Sequence, residues 1–467
     1  METIAKYISD GTNTANILNA LKWDMETKTL SLYSTNNEEL KSSCELPIYD
    51  NKDAVEVEKP VRGMYNVGYL ISDALKSTDC TTEIQKYIDL CAEDGGGVIR
   101  FGSGIYRYST LTIPSGVSLI GSGIGNTILA RVPSSHSEGE IESIYSSRGS
   151  IYIPASSRGI TISNMSIFGG VELGLTKDED YQVSGRTTYN DNRIATGIYI
   201  ANGPVAETNE GLAVLPYSVH MGQPLSYDTP FKNIVLENLA IIGFSGSGIF
   251  VGANCSNVTI NNVITNINRY AGIITAGSHI QVSNLVANGN GDNGILNIGP
   301  YNKFVNIECN YNGKYNHLNA AGFYSETSDL VVNNIEAKFS YSRGIVVDAD
   351  RCQFTNVICD ANGARDDYDE SSNEEANNNP RDVPQVVLSG AHIVFKGSIC
   401  NYRAGETIKV ADKPMLAEGL NKSIVELLVL KDSAENNSMI NDTEMIDSVY
   451  NNTSIIPDGL LTYILQQ

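Results

Sequence analysis

The chain has 467 residues, 42 of them Gly, and only 18% are charged. Lys plus Arg is 32 against 54 Asp plus Glu, a net charge of −22, which excludes a nucleic-acid binder, because phosphate recognition needs a basic footprint. The 41% hydrophobic content excludes a wholly disordered chain, and no apolar run approaches the roughly 18 residues of a membrane span.

Residues 1–57 differ in pattern from the rest of the chain. The start, Met1-Glu2-Thr3-Ile4-Ala5-Lys6, lacks the basic flank and apolar stretch of a secretory signal, so synthesis in a reducing cytoplasm is expected. Thr29–Tyr33 and Leu40–Leu46 flank Asn36-Asn37-Glu38-Glu39 and read as a small hairpin, with Trp23 just ahead of it. The segment is either a short attachment unit or a loosely ordered arm.

Next comes a helix. Ile84, Tyr87, Ile88 and Cys91 follow helical spacing, Thr81 or Thr82 is placed to cap the start, and Gly95-Gly96-Gly97 stops it. Val98-Ile99-Arg100-Phe101 then begins a region of short strands.

A repeat governs the centre of the chain. Asn precedes an apolar residue at Asn238, Asn262, Asn284, Asn306, Asn334 and Asn356, in steps of 24, 22, 22, 28 and 22 residues. Gly248, Gly272, Gly294, Gly322 and Gly344 keep the same beat. Residues two and four before each Asn are mostly apolar and those between mostly polar, a period of two with one buried face. Each unit is too short for a crossover helix, so the repeat reads as one coil of a parallel β-helix. Its asparagines read as turn ladders, since Asn tolerates left-handed backbone and hydrogen-bonds locally.

The eight cysteines form no CxxC pair and read as free, mostly buried thiols; Cys309, Cys352 and Cys359 fall at inward positions. Residues 171–232 and 362–386 interrupt the repeat as loops, and the repeat fails beyond 405. The expected organisation is an N-terminal attachment segment (1–57), a capped β-helix (58–405) and a C-terminal cap or assembly segment (406–467).

The run from Ile84-Gln85 through Gly95–Phe101, Gly104-Ile105-Tyr106, Leu111–Val117 and Leu119–Gly123 resembles the entry segment of the pectate-lyase-like right-handed β-helix superfamily. That superfamily holds polygalacturonases, pectate lyases and bacteriophage tailspikes. The resemblance covers roughly residues 60 to 405 and implies an all-β, right-handed parallel β-helix acting on a polysaccharide.

Two features bear on chemistry. Tyr199, Phe250, Ile274, Leu296, Tyr324 and Val346 each follow an inward residue and form an apolar outward column. Such a stripe marks a contact surface: a homotrimer interface, a seat for a covering loop, or a sugar platform. Glu326 lies three after Phe323 and Asp348 three after Ile345, so the two carboxylates share a column on adjacent coils, about 5 Å apart. Two acids that close separate their proton affinities, which glycoside cleavage requires, although a salt-bridged surface cluster has the same signature.

Tyr324, Arg343 and Arg351 are candidate substrate contacts, as is His317, which lies in a coil six residues longer than its neighbours. Asp292-Asn293-Gly294 resembles the polygalacturonase Asp-Asp element with its second Asp replaced, so Asp292 is a third catalytic candidate, while that family's remaining elements are missing. No metal or cofactor is expected.

The leading expectation is a bacteriophage tailspike-like protein of the virion tail. It would bind a bacterial surface polysaccharide and possess a hydrolase or lyase site for depolymerising it, attach to other tail proteins through its N-terminal segment, and enter no membrane. A non-catalytic tail structural protein or adhesin, and a free bacterial pectin-type hydrolase or lyase, are the alternatives.

Overall fold

The computed structural model describes residues 21–24, 29–33, 40–45, 63–132, 149–154, 157–169, 196–200, 232–244, 246–252, 255–313, 320–363, 384–400, 415–430, 440–441 and 449–455. The chain forms two units, Met1–Val61 and Arg62–Gln467. In the first, Thr29–Tyr33 pairs antiparallel with Leu40–Glu45, as the hairpin reading predicts, and Leu21–Asp24 adds a third strand that sets Trp23 opposite Leu30.

The second unit is the expected parallel β-helix. An eleven-stranded and a fifteen-stranded sheet run its length, and every strand pair in them is parallel. Successive coils stay in register: Leu236, Ile260, Val282, Phe304, Val332 and Phe354 lie one above the next and are buried. Alternation puts these residues inward, and β-branched and aromatic side chains suit the pleated wall. Phe304, Phe323, Phe354 and Phe395 thread the core with ring centroids 5.2, 5.7 and 5.7 Å apart in turn. Cys309, Cys352 and Cys359 are free and buried there, as their inward positions predict.

The sheets continue past residue 405, where the sequence repeat fades. Met415–Asn421 pairs with Val386–Ala391, Ile424–Leu430 with Val394–Cys400, and Val449–Ile455 with Ile424–Leu430.

The helix Thr81–Glu93 buries Ile84, Ile88 and Cys91 in the same core as the first coils. Its cap differs from expectation. Cys80 is the N-cap residue, and the acceptor is the Asp79 carboxylate, which takes hydrogen bonds from Thr81 N at 2.9 Å and Thr81 Oγ1 at 2.6 Å. Gln85 reaches Thr112 through two backbone hydrogen bonds of 3.0 and 2.9 Å. Leu111–Thr112 is the first strand of the eleven-stranded sheet, so the helix occupies polar groups that would otherwise invite edge pairing.

Left-handed residues set the corners. Asn164, Asn238, Asn262, Asn284, Asn306, Asn334 and Asn356 all have φ between 51° and 59° and bend the long strands at one place. Their amides hydrogen-bond from rung to rung, as in Asn262 Nδ2 to Asn238 Oδ1 at 2.7 Å and Asn306 Nδ2 to Asn284 Oδ1 at 2.9 Å. These are the predicted turn ladders. A second ladder is internal: Asn268, Asn290 and Asn312 are buried, and each side-chain oxygen accepts a backbone N–H from the coil before it. A third column turns the chain out of the eleven-stranded sheet. It runs Gly116, Gly159, Asn233, Asn257, His279, Tyr301, Asp329, Arg351, His392, Lys422, all at φ between 48° and 79°.

Candidate functional site

The carboxylate pair sits at the outgoing end of two adjacent strands, Ala321–Ser325 and Arg343–Asp348. Ser325 pairs with Val347, so the next residues, Glu326 and Asp348, face each other across one inter-strand step of about 4.8 Å. The chain holds this end of the strand from below. Asn297 Nδ2 donates to Ser325 Oγ at 3.1 Å, and Asn297 Oδ1 accepts from Thr275 Oγ1 and Asn302 Nδ2, both at 2.8 Å. Glu326 N continues the ladder to Asn297 O at 3.1 Å. Asn297 and Asn302 escape a reading of the sequence because they follow the Asn-rich composition without matching either repeat landmark.

Tyr324 lies two residues before Glu326 on the same outward face, and its hydroxyl hydrogen-bonds the Glu326 carboxylate. Glu326 is exposed by surface area, yet protein atoms crowd its carboxylate. Loss of solvation is the main cause that pushes its proton affinity up; the Tyr324 hydrogen bond opposes this, and the Asp348 charge adds to it. The half-buried Tyr324 hydroxyl is also pushed up, mainly by burial and then by Glu326 and Asp348, against the charge of Arg343. The structure therefore brings together Tyr324, Glu326, Asp348 and Arg343. An acid disposed to keep its proton, beside a second carboxylate, is an arrangement for proton transfer to a leaving group.

The other candidates separate from this cluster. Asp292 is in register with Ala320, six residues before Glu326. Its neighbour Asn293 is buried and uses its side-chain oxygen to accept Ala321 N at 2.7 Å, so Asn293 is a ladder residue rather than a substituted acid. Arg351 does not turn toward Glu326. It makes a bidentate bridge to Asp329 of 2.7 and 2.8 Å at the corner, because the 22-residue step stacks the two. His317 lies outside the described residues.

The apolar column is in register through Tyr199, Phe250, Ile274, Leu296, Tyr324 and Val346. It is not an open surface. Tyr199 and Phe250 are each 1% exposed and stack with centroids 4.9 Å apart, and with Ala271, Ile274 and Leu296 they form a second buried cluster. From Tyr199 to Leu296 the stripe is thus a satellite core, which agrees with the covered-seat reading among the three expected for it. Among the described residues, no group of three or more His, Cys, Asp and Glu side chains is arranged to hold a metal, and no helix is long and apolar enough to cross a membrane.

No protein-family model matches the chain, and no curated protein does. Solved structures do. Full-length tailspike protein 2 of an Escherichia coli O157:H7 bacteriophage superposes with a TM-score of 0.57 at 16% identity, covering 84% of this chain and 46% of that one. The A-module of Azotobacter vinelandii mannuronan C-5 epimerase AlgE4 gives 0.55 at 15% identity, covering 84% of this chain and all of that one. The fold is that of the tailspike β-helix. This chain spans under half the length of the full tailspike, and at such identity the likeness is one of fold.

Proposed function

We propose that the protein is a tailspike-like component of a phage tail that binds a bacterial surface polysaccharide and cleaves it at Glu326 and Asp348. The observation that carries the cleavage is the pairing of a carboxyl group of raised proton affinity with a second carboxylate one strand away. Glu326 acts as the proton donor to the glycosidic oxygen, and Asp348 attacks or stabilises the sugar centre. A separation of about 5 Å suits a retaining mechanism with a covalent glycosyl intermediate. Tyr324 orients Glu326, and Arg343 offsets the negative charge beside it. The two structural neighbours support a glycan role: one is named a tailspike and the other an epimerase of mannuronan. The antiparallel N-terminal unit serves as the attachment segment in this reading, and the virion tail as its location.

The test is incubation of the full chain with capsular polysaccharide and lipopolysaccharide from candidate hosts. New reducing ends without ultraviolet absorbance establish a hydrolase. An absorbance rise from unsaturated sugars makes it a lyase. Binding with no product supports the second reading, a non-catalytic adhesin, which is favoured by the use of Asn293 as a structural ladder residue where the polygalacturonase element has an acid.

A further inference from the structure

Asparagine is a thermolabile residue, most of all before glycine, which has no side chain to shield its N–H. In an open chain the glycine nitrogen, once it loses its proton, attacks the side-chain amide carbon of the asparagine. A new C–N bond forms, the bond from that carbon to the side-chain nitrogen breaks, and ammonia leaves. Water then opens the succinimide ring at either carbonyl, giving aspartate or isoaspartate.

Five Asn-Gly pairs fall among the described residues, all between 288 and 363. One relationship recurs at every one of them: a single residue of an adjacent coil holds both reacting groups with its own N–H and C=O. Asn268 donates its N–H to Asn290 Oδ1 at 3.0 Å and accepts the Gly291 N–H on its carbonyl at 2.8 Å. Asn290 holds Asn312 and Gly313 in the same way, at 2.9 Å for each bond. Ser340 holds Asn362 and Gly363 at 3.0 and 2.8 Å. The same two bonds tie Asn310 to Asn288 and Gly289, at 2.7 and 2.9 Å, and Ala321 to Asn293 and Gly294, at 2.7 and 3.1 Å.

The fold creates these pairs and disarms them together. The internal ladder uses amide side chains at 290, 312 and 362, and left-handed backbone follows at Gly313 and Gly363, with φ of 92° and 77°. Ring closure needs the glycine N–H unbound and the asparagine side chain swung onto it. Both groups are fastened to the neighbouring coil, so reaction waits until two coils separate.

Reaction at the three buried ladder positions would be final. Asn290 Nδ2 donates to Thr265 O, Asn312 Nδ2 to Ala287 O and Asn362 Nδ2 to Ala337 O, at 3.0, 2.9 and 2.8 Å. A carboxylate in that place donates nothing and sets a buried charge against a carbonyl oxygen. Isoaspartate also lengthens the backbone by a methylene, which shifts the register of the residues after it.

We propose that Asn290, Asn312 and Asn362 are latent deamidation sites: the adjacent coil keeps each inert, and reaction after the coils open bars them from closing again. Coil opening becomes irreversible through this covalent change, so the persistence of the rod is governed by the rate of opening.

The full chain is held at mildly alkaline pH, folded in one sample and unfolded in urea in another, and both are followed by peptide mapping with mass spectrometry. The folded sample should gain aspartate and isoaspartate at the three positions at least about a hundredfold more slowly. Equal rates overturn the protection. The partly reacted unfolded sample is then diluted from urea, and its folded and aggregated fractions are separated and mapped. Reacted residues at 290, 312 and 362 should be at least about tenfold depleted in the folded fraction. Equal shares in the two fractions overturn the lock. Should the unreacted chain itself not refold, Asn290→Asp is produced directly in cells. A folded yield and melting temperature equal to wild type overturn the lock, and a loss in either upholds it.

Discussion

The Tyr324 hydroxyl donates to the Glu326 carboxylate two residues along the same strand face, and this one bond works against the burial that raises the acid. Removing it should therefore raise the proton affinity of Glu326 further. In Tyr324→Phe, the alkaline limb of the kcat/KM profile is expected to move to higher pH. A limb that stays in place means that Glu326 is not the group that titrates.

Glu326→Gln and Asp348→Asn should each abolish cleavage, with losses on the order of a thousandfold or more, because each removes a group that acts on the breaking bond. Circular dichroism melts should stay near wild type, since neither side chain supports the core. Normal turnover in both variants removes the pair from the mechanism.

The raised acid also affects stability. The unfolded chain ionises Glu326 in the ordinary glutamate range, whereas the folded chain resists ionisation until higher pH. Below that range both states are protonated and nothing is lost; stability falls as pH rises through it to the folded value. Glu326→Gln should thus melt close to wild type near pH 4 and slightly above it at neutral pH, a small gap because the site is solvent-screened. A gap that widens toward acid contradicts the assignment.

The internal ladder should be the most sensitive polar feature. Asn290 accepts Asn268 N at 3.0 Å and donates to Thr265 O at 3.0 Å, both buried. Asn290→Leu leaves those groups without partners and should cost about 3 kcal/mol or more in denaturant unfolding. Asn306→Ala, in the exposed ladder, should cost about 1–2 kcal/mol, and Asn306→Gly less, because glycine keeps the left-handed turn.

Phe250 is 1% exposed against Tyr199. Phe250→Ala should destabilise by about 3–5 kcal/mol, by an amount independent of protein concentration, because the contact lies within one chain. A loss that depends on concentration would return the stripe to a subunit interface. Native mass measurement on the wild type tests the expected homotrimer separately.

Much of this molecule is legible in its sequence because in-register stacking forces like residues into columns. The step of 22 residues alone places Glu326 beside Asp348 and asparagine above asparagine. The same step also stacks Arg351 on Asp329, so the bridge is legible too, but an arginine near two acids points equally to the wrong partner. Burial of the Tyr199–Leu296 column is only half legible, because alternation turns these residues outward, and outward apolar residues fit a covered seat as well as an open contact face. The strands beyond 405 are hidden because the asparagine column ends at Asn356 and Gln385 stands where the glycine beat would continue.

The constant register has a consequence for length. Ile260 sits under Val282 and Asn261 under Ser283, so excising residues 262–283, 22 in all, would join two positions that already occupy the same place in successive coils. Inward residues would stay inward and the asparagine column would close over the junction. The rod can therefore be shortened or extended in whole turns of about 4.8 Å, which gives a lineage of such proteins a graded way to change its reach while keeping its core pattern.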